Sequence, residues 1–281
     1  MSDAGCLYIV PTPIGNLSDI SARALTTLAE VDLIAAEDTR HSARLLQHYQ
    51  ISTRTISLHS HNEAQRSTLL IERLLSGQSI ALISDAGTPL ISDPGYTLVN
   101  LCRSQNITVS ALPGPCALTT ALSASGLPTD TFTFFGFLPV KQQAKAAKLL
   151  SAANSCVTSI FYESPRRVTD TLRACQQELP SHTRYVLAKE LSKSYETYVS
   201  GDIADLLAYL DADASHQKGE FVLMLHCPNQ VEEGIPERAA ALLNQLLPIM
   251  PPKKAAGVVA EHYDLNKKQL YEYSLQAKND G

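Results

Sequence analysis

The chain has 281 residues, 44% apolar and 18% charged, which suits one large domain or two smaller ones with a proper core. A formal net charge of -5 excludes indiscriminate coating of nucleic acid but leaves room for a local basic surface at one RNA site. No apolar run approaches the ~18 residues of a membrane span, the start "MSDAGCLYIVPTP" has no secretory pattern, and six scattered cysteines form no CxxC pair, so a cytosolic protein with reduced thiols is expected.

Strands and helices alternate from the first residues. "LYIV" reads as a strand and "SARALTTLAEV" as a helix with Ser21 as its N-cap. "VDLIAAE" is a second strand, "SARLLQHY" a short helix and "TISL" a third strand. "EAQRSTLLIERLLSG" has the apolar spacing of an amphipathic helix, with Gly77 as its stop. "SIALIS" and "ITVSAL" bring the set to about five strands separated by helices, which predicts a mostly parallel sheet with helices on both faces.

From about Thr131 the order changes. "TFTFFGFL", "TSIFYES", "RYVLAKEL", "ETYVSG" and "EFVLMLH" read as strands, with helices at "KQQAKAAKLLSAA", "RRVTDTLRACQQEL" and "IADLLAYL". The short step between "YVLAKEL" and "YETYVSG" favours an antiparallel pair, and so a mixed sheet. "PPKKAAGVVAEHYDLNKKQLYEYSLQ" then has helix, turn, helix spacing. The expected organisation is therefore an α/β domain over 1–126, a second with a mixed sheet over 127–228, joined through "GLPTD", and a helical helix-turn-helix-like tail over 229–281.

No phosphate-binding G-x-x-x-x-G-K-[ST] loop is present, no G-x-G-x-x-G follows the first strand, and no His/Cys set suggests a metal. What stands out are four loops at strand ends, where open α/β sheets bind ligands. They are "VPTPIGNLSDIS", "AAEDTRHS", "SDAGTPLISDPG" and "LPGPCALTTALSASG". Each alone has an ordinary reading as a Pro/Gly turn or helix cap. Together on one sheet edge, one ligand would explain all four, with small residues such as Ala117, Ser123 and Ala124 leaving room for it.

These segments, with "GFLP" and "FYESPRR", occur in an order that resembles the bacterial small-subunit ribosomal RNA methyltransferase I family, over nearly the whole chain. That family methylates a ribose 2′-hydroxyl and is similar in fold to the tetrapyrrole methylases. The tetrapyrrole enzymes carry Gly-Asp-Pro where this chain has Gly87-Thr88-Pro89, and a glycine-rich first turn where it has Pro11-Thr12-Pro13. Both departures match the RNA-modifying branch. The resemblance implies a two-domain tetrapyrrole-methylase-like α/β fold with S-adenosyl-L-methionine in the cleft. It also implies a cytidine in the decoding region of 16S ribosomal RNA, or of the small ribosomal subunit, as substrate, and a homodimer, with no role for DNA or membrane. The rival readings are a tetrapyrrole C-methyltransferase and a non-catalytic RNA-binding assembly factor.

On this reading the cofactor residues are Pro11, Ser84, Asp85, Ala86, Gly87, Thr88, Ile91, Cys116, Ala117 and Tyr162. A sulfonium loses charge in the transition state, so an apolar, backbone-lined pocket suits it better than a paired carboxylate. Asp38, Arg40, Lys189 and Glu190 are the expected proton-handling and oxyanion-holding groups, with Glu37, His59, His61 and Glu163 behind them. Strand alternation puts Lys189 and Glu190 on opposite faces unless the strand ends there. Arg166, Arg167, Lys253, Lys254, Lys267 and Lys268 are the expected phosphate contacts, near Tyr263, Tyr271 and Tyr273, at least one of which should serve helix packing instead.

Overall fold

The computed structural model describes residues 4–229, 235–263 and 265–279. Contacts divide the chain at Pro228/Asn229 into two units.

The first unit holds two five-stranded sheets. In the first sheet β1 (Cys6–Ile9), β2 (Leu33–Ala36), β3 (Thr55–Ser57), β4 (Ile80–Ile83) and β5 (Thr108–Ala111) are all parallel, in the order β3-β2-β4-β1-β5. Strands buried on both faces need no alternation, and β2 ("LIAA") and β4 ("IALI") are buried at every position. One face packs Leu7, Leu33, Ile80 and Leu82 against α3 (Glu63–Leu75) and α4 (Tyr96–Ser104). The other packs Val10, Ile34 and Ile83 against α1 (Ala22–Glu30) and α2 (Thr39–His48). Each fully buried leucine or isoleucine contributes about 1.5–3 kcal/mol. Ser21 caps α1 by accepting from the Ala24 amide at 3.1 Å. Gly77, at φ +92, sends its amide back to the Leu74 carbonyl and ends α3.

All five strands point the same way, so the loops after β1, β2, β4 and β5 meet at one edge. α5 (Ala117–Ser123) leads from there to the second sheet, of order β6-β7-β10-β8-β9. It comprises β6 (Phe132–Phe137), β7 (Thr158–Glu163), β8 (Arg184–Lys189), β9 (Thr197–Gly201) and β10 (Phe221–His226). Only β6 and β7 are parallel, and β8–β9 is the antiparallel pair expected from their short connection. α6 (Gln142–Asn154), α7 (Val168–Glu178) and α8 (Ile203–Ala212) cover one face. The other face packs Ile160, Val186 and Met224 with α5 and with Ile14 of the β1 loop, which joins the halves through an apolar seam.

The second unit is helical. α10 (Pro252–Tyr263) and α11 (Lys267–Asn279) are the predicted pair, although Asp264 of the "DLN" turn lies outside the described residues. α9 (Glu237–Leu246), which the sequence expectation did not single out, adds Ala239 and Leu243 to a small core with Ala255, Val259 and Leu270. Among the described residues no disulfide forms, and three of the six cysteines are buried. No helix among the described residues is long and apolar enough to cross a membrane.

Candidate active site

Hydrogen bonds tie the loops at the first sheet's edge to one another and to the second sheet. Thr12 and Gly87 exchange both amide–carbonyl bonds, at 2.9 and 3.0 Å, linking the β1 and β4 loops. The Thr88 hydroxyl donates to the Pro115 carbonyl at 2.8 Å and adds the β5 loop. The Leu118 amide donates to the Tyr162 hydroxyl at 3.0 Å and brings in the second sheet. Two glycines make this possible. Gly87 has φ +78, a left-handed conformation that side chains rarely adopt, and a Cβ on Gly114 would stand 2.6 Å from the Pro11 ring. The close approach is thus between two loops of the protein, Pro11 against Gly114.

These ties enclose a cavity of about 380 Å³. Seven expected cofactor residues line it: Ala86, Gly87, Thr88, Ile91, Cys116, Ala117 and Tyr162. Pro11 is buried behind it, while Ser84 and Asp85 line an adjoining groove of about 430 Å³. Ser123 and Ala124 are exposed at the C-terminal end of α5 and line neither. The cavity also takes in Ile14, Phe137, Leu191 and Val222, and two carboxylate residues the sequence did not single out, Asp93 and Glu220. Apart from Asp93, Glu163 and Glu220, the walls carry small, apolar and backbone groups, and no Lys or Arg lines them.

The groove shares Ile14, Ala86 and Glu220 with the cavity and is floored by α2, which presents His41, Arg44 and His48 at one-turn spacing. Ser42 lines it too, 3% exposed, with a hydroxyl that has no partner among the described residues.

Asp38 and Arg40 are not brought into either space. Asp38 caps α2 through the Arg40 amide at 2.9 Å and pairs with the Arg40 guanidinium at 3.0 Å. The Arg40 hydrogen bond holds its carboxyl down to about 2, too weak a base for a ribose hydroxyl, and the Arg40 side chain is 90% exposed. Glu37 and Asp85 turn inward instead: Asp85 accepts from the Asp38 amide at 3.1 Å, and burial and the Asp85 charge push the Glu37 carboxyl up. His59 is held at the same edge, its ring 3.2 Å from the Asn62 amide nitrogen, and His61 is exposed.

Lys189 ends β8, buried, on the face of Tyr185 and Leu187 and so opposite the cleft-side residues Val186 and Ala188. The strand does end there, for Glu190 takes φ +52. The Glu190 carboxylate is engaged by Lys193 Nζ at 2.8 Å and the Glu220 amide at 2.9 Å. Arg167 is likewise committed, with its Nε 3.2 Å from the fully buried Glu163 carboxylate and a terminal nitrogen on the Leu138 and Pro139 carbonyls. That guanidinium is a brace between β6 and α7, where the sequence suggested a phosphate contact. Arg166 is exposed.

Residues 6–207 match the family model described as Tetrapyrrole (Corrin/Porphyrin) Methylases, and 233–278 match the RsmI C-terminal HTH domain. The chain is 52% identical to Ribosomal RNA small subunit methyltransferase I of Vibrio cholerae, over 97% of this chain and 95% of the relative. It is 49% identical to the protein of that name from Escherichia coli O157:H7, again over 97% and 95%. The chain belongs to the ribosomal RNA small subunit methyltransferase I family. It is an enzyme of the methyltransferase class. Among solved structures, diphthine synthase superposes with a TM-score of 0.63 at 14% identity, over 79% of this chain and 90% of that one, a likeness of fold alone.

In the methyltransferase's helical unit, Lys253, Lys254, Lys267 and Lys268 are all exposed, on the first turns of α10 and α11. Cations at helix N-termini oppose the helix dipole, a cost that phosphate binding would offset. Tyr263 and Tyr273 pack on the small core, and Tyr271 is exposed.

Proposed function

We propose that the enzyme transfers a methyl group from S-adenosyl-L-methionine to the ribose 2′-hydroxyl of a cytidine in the decoding region of 16S ribosomal RNA. The observation that carries this reading is the cation-free cavity, apolar apart from its edge carboxylates, opening beside a groove that Arg44, His41 and His48 line. Bound in the cavity, the cofactor would supply an electrophilic methyl group on a positively charged sulfur. Gly87, Thr88, Ile91, Cys116 and Ala117 would hold it, and Tyr162, tied to Leu118, would fix the wall that the second sheet supplies. The groove would hold the RNA strand, with Arg44 on a phosphate, and the exposed lysines of α10 and α11 would supply phosphate contacts of their own.

Cytoplasmic location, a homodimer and the absence of any role for DNA belong to the same proposal. The test is methyl transfer to ribosomal RNA by the purified chain, with the modified ribose mapped. In parallel, replacing Lys253, Lys254, Lys267 and Lys268 by Glu lowers the salt slope of RNA binding by about 3, from ~0.7–0.9 per lost phosphate contact, and leaves cofactor affinity unchanged. RNA binding and salt slope equal to those of the parent chain would remove the tail from the interface.

A further inference from the structure

Phe137 lines the cavity, yet 57% of it is exposed. An aromatic ring gains by leaving water, so a ring held open on a cavity wall needs a physical reason. An irregularity in β6 brings it there. Phe134 stands opposite Ile160 of β7, Gly136 opposite Phe161 and Phe137 opposite Tyr162, so Phe135 is an extra residue. Phe134, Ile160 and Tyr162 share the cleft side, whereas Phe135 stacks on Phe161 on the other face, with ring centroids 5.1 Å apart. Strict alternation would send Phe137 to the side of Phe135. The bulge returns it to the cleft. Gly136 absorbs the turn at φ +66. A Cβ there would lie 3.4 Å from Ser92 Oγ, so the same glycine lets the β4 loop approach.

The ring is oriented before any ligand arrives. Phe137 meets Tyr162 edge to face, with centroids 5.9 Å apart and planes at 69°. Tyr162 is itself fixed, by Phe134 at 4.8 Å and by the Leu118 amide on its hydroxyl. The third aromatic of the cavity, Phe221, is buried. Phe137 is therefore the one aromatic lining residue among the described residues with most of its surface open, and it forms the rim. A cation stands beside that rim. Pro165 lines the cavity, and Arg166 follows it, exposed and in no salt bridge among the described residues. A flat apolar face next to an uncommitted guanidinium matches a nucleotide, which offers a base to stack and a phosphate to neutralise.

Resting on the proposed function, we propose that Phe137 is the platform on which the base of the acceptor nucleotide stacks, with Arg166 on a neighbouring phosphate. The acceptor's hydroxyl must reach a methyl group held inside a walled cavity, and a nucleotide turned out of its strand brings it furthest in. That turn loses stacking on the neighbouring bases, and an aromatic ring at the rim restores it. The cofactor carries a base too, its adenine. The enclosed walls at Ala117, Leu191 and Val222 suit a cofactor sealed from water, whereas a ring left more than half exposed suits the ligand that leaves after each turnover. Every base has a π-face, so Phe137 fixes where the nucleotide sits and leaves the choice of base to other groups.

The test uses the full chain with Phe137→Ala, Phe137→Leu and Phe137→Trp. It reads affinity for ribosomal RNA by fluorescence anisotropy, cofactor affinity by calorimetry and oligomeric state by sedimentation. Phe137→Ala should weaken RNA binding and raise the KM for RNA by about 10- to 100-fold, the loss of one stacked base. Phe137→Leu keeps apolar bulk without a π-face and should do nearly as badly, while Phe137→Trp restores parental affinity. The salt slope should stay unchanged in Phe137→Ala and fall by about 0.7–0.9 in Arg166→Ala. Cofactor affinity should be parental throughout. Parental RNA affinity in Phe137→Ala, or rescue by leucine as full as by tryptophan, would overturn the proposal. Lost cofactor affinity with RNA binding intact would overturn it in favour of the adenine, and a changed oligomeric state with both affinities intact in favour of a contact between copies of the chain. A parent chain that binds cofactor and RNA but transfers nothing overturns the proposed function itself, and the anisotropy series still reports on the stack.

Discussion

The two sheets end in opposite electrostatic states. At the edge of the second, carboxylates have found cations: Glu163 pairs with Arg167, and Glu190 and Glu220 share Lys193. At the edge of the first, Glu37, Asp85 and Asp93 crowd together without a Lys or Arg partner among the described residues, and burial pushes Glu37 and Asp93 up. A paired carboxylate is a brace, and an unpaired one held beside a cavity can exchange a proton. The same residue type thus does different work according to what surrounds it.

The brace gives the largest expected effect. Glu163→Ala takes the carboxylate from the Arg167 guanidinium, which keeps only backbone carbonyls, and the acceptor from the Thr171 hydroxyl, 3.3 Å from the buried Lys145. Removing one partner of such a buried pair costs about 3 kcal/mol. Urea unfolding should show it, with Glu163→Gln losing less because the amide oxygen still accepts from Thr171. An unchanged midpoint in Glu163→Ala would show that the second edge carries no stabilising pair.

The contrasting edit is at Gly87, where no charge is involved. A β-branched residue at φ +78 is strained by about 1–3 kcal/mol, and its Cβ would meet Ile14 Cγ2 at 3.3 Å beside the cavity. Gly87→Val should weaken cofactor binding by about 100-fold, equivalent to ~2.7 kcal/mol, with circular dichroism retained. Gly87→Ala, which adds less bulk, separates strain from obstruction. Parental calorimetry for both would place the cofactor elsewhere.

Much of this was legible in the chain. Alternating apolar runs and turn residues located the ten strands and the loop cluster, because parallel strands and Pro/Gly turns leave strong local patterns. The unpaired carboxylate was not legible. Nothing in "PLISDPG" marks Leu90 and Ser92 as left-handed, since such turns usually advertise themselves with glycine. Arg167, in turn, looked like a phosphate contact because it follows a strand end. Its i,i+4 spacing from Glu163 was the available sign that it would turn inward.

Stability against pH sharpens the comparison further. The folded-state value of Asp93, about 6, lies above that of an unfolded aspartate, so its contribution is fully present below about pH 4 and is lost as pH rises through 6. Asp93→Asn should therefore raise the melting point at pH 8 and lose the advantage toward pH 4. A rise from the ordinary 3.8 to about 6 corresponds to ~3 kcal/mol, and screening of this half-buried group reduces the expectation to about 1 kcal/mol. A gain of that sign is what a carboxylate held partly out of water without a cation would give. Equal melting points across the range would mean that Asp93 is solvated like any surface carboxylate.

The smallest effect belongs to the carboxylate most conspicuous in the sequence. Asp38 sits in "AAEDTRHS", beside Arg40 and just past a strand, yet it shows the pairing of the second sheet's edge transplanted to the first. Its carboxyl, held at about 2 by the Arg40 hydrogen bond, stays ionised through the working range, and it lines neither cavity nor groove. Asparagine keeps the side-chain oxygen that accepts the Arg40 amide and so preserves the cap on α2. Asp38→Asn should accordingly leave the melting point unmoved and the single-turnover rate within a factor of about three of the parent chain. The sign to watch is the acid limb of stability. Because the folded value lies below that of an unfolded aspartate, any stabilisation from Asp38 is present above about pH 4 and lost as pH falls through 2. A collapse of methyl transfer in Asp38→Asn, with cofactor and RNA still bound, would put Asp38 in the reaction. It would mean that substrate draws the Asp38 side chain away from Arg40 and into the groove.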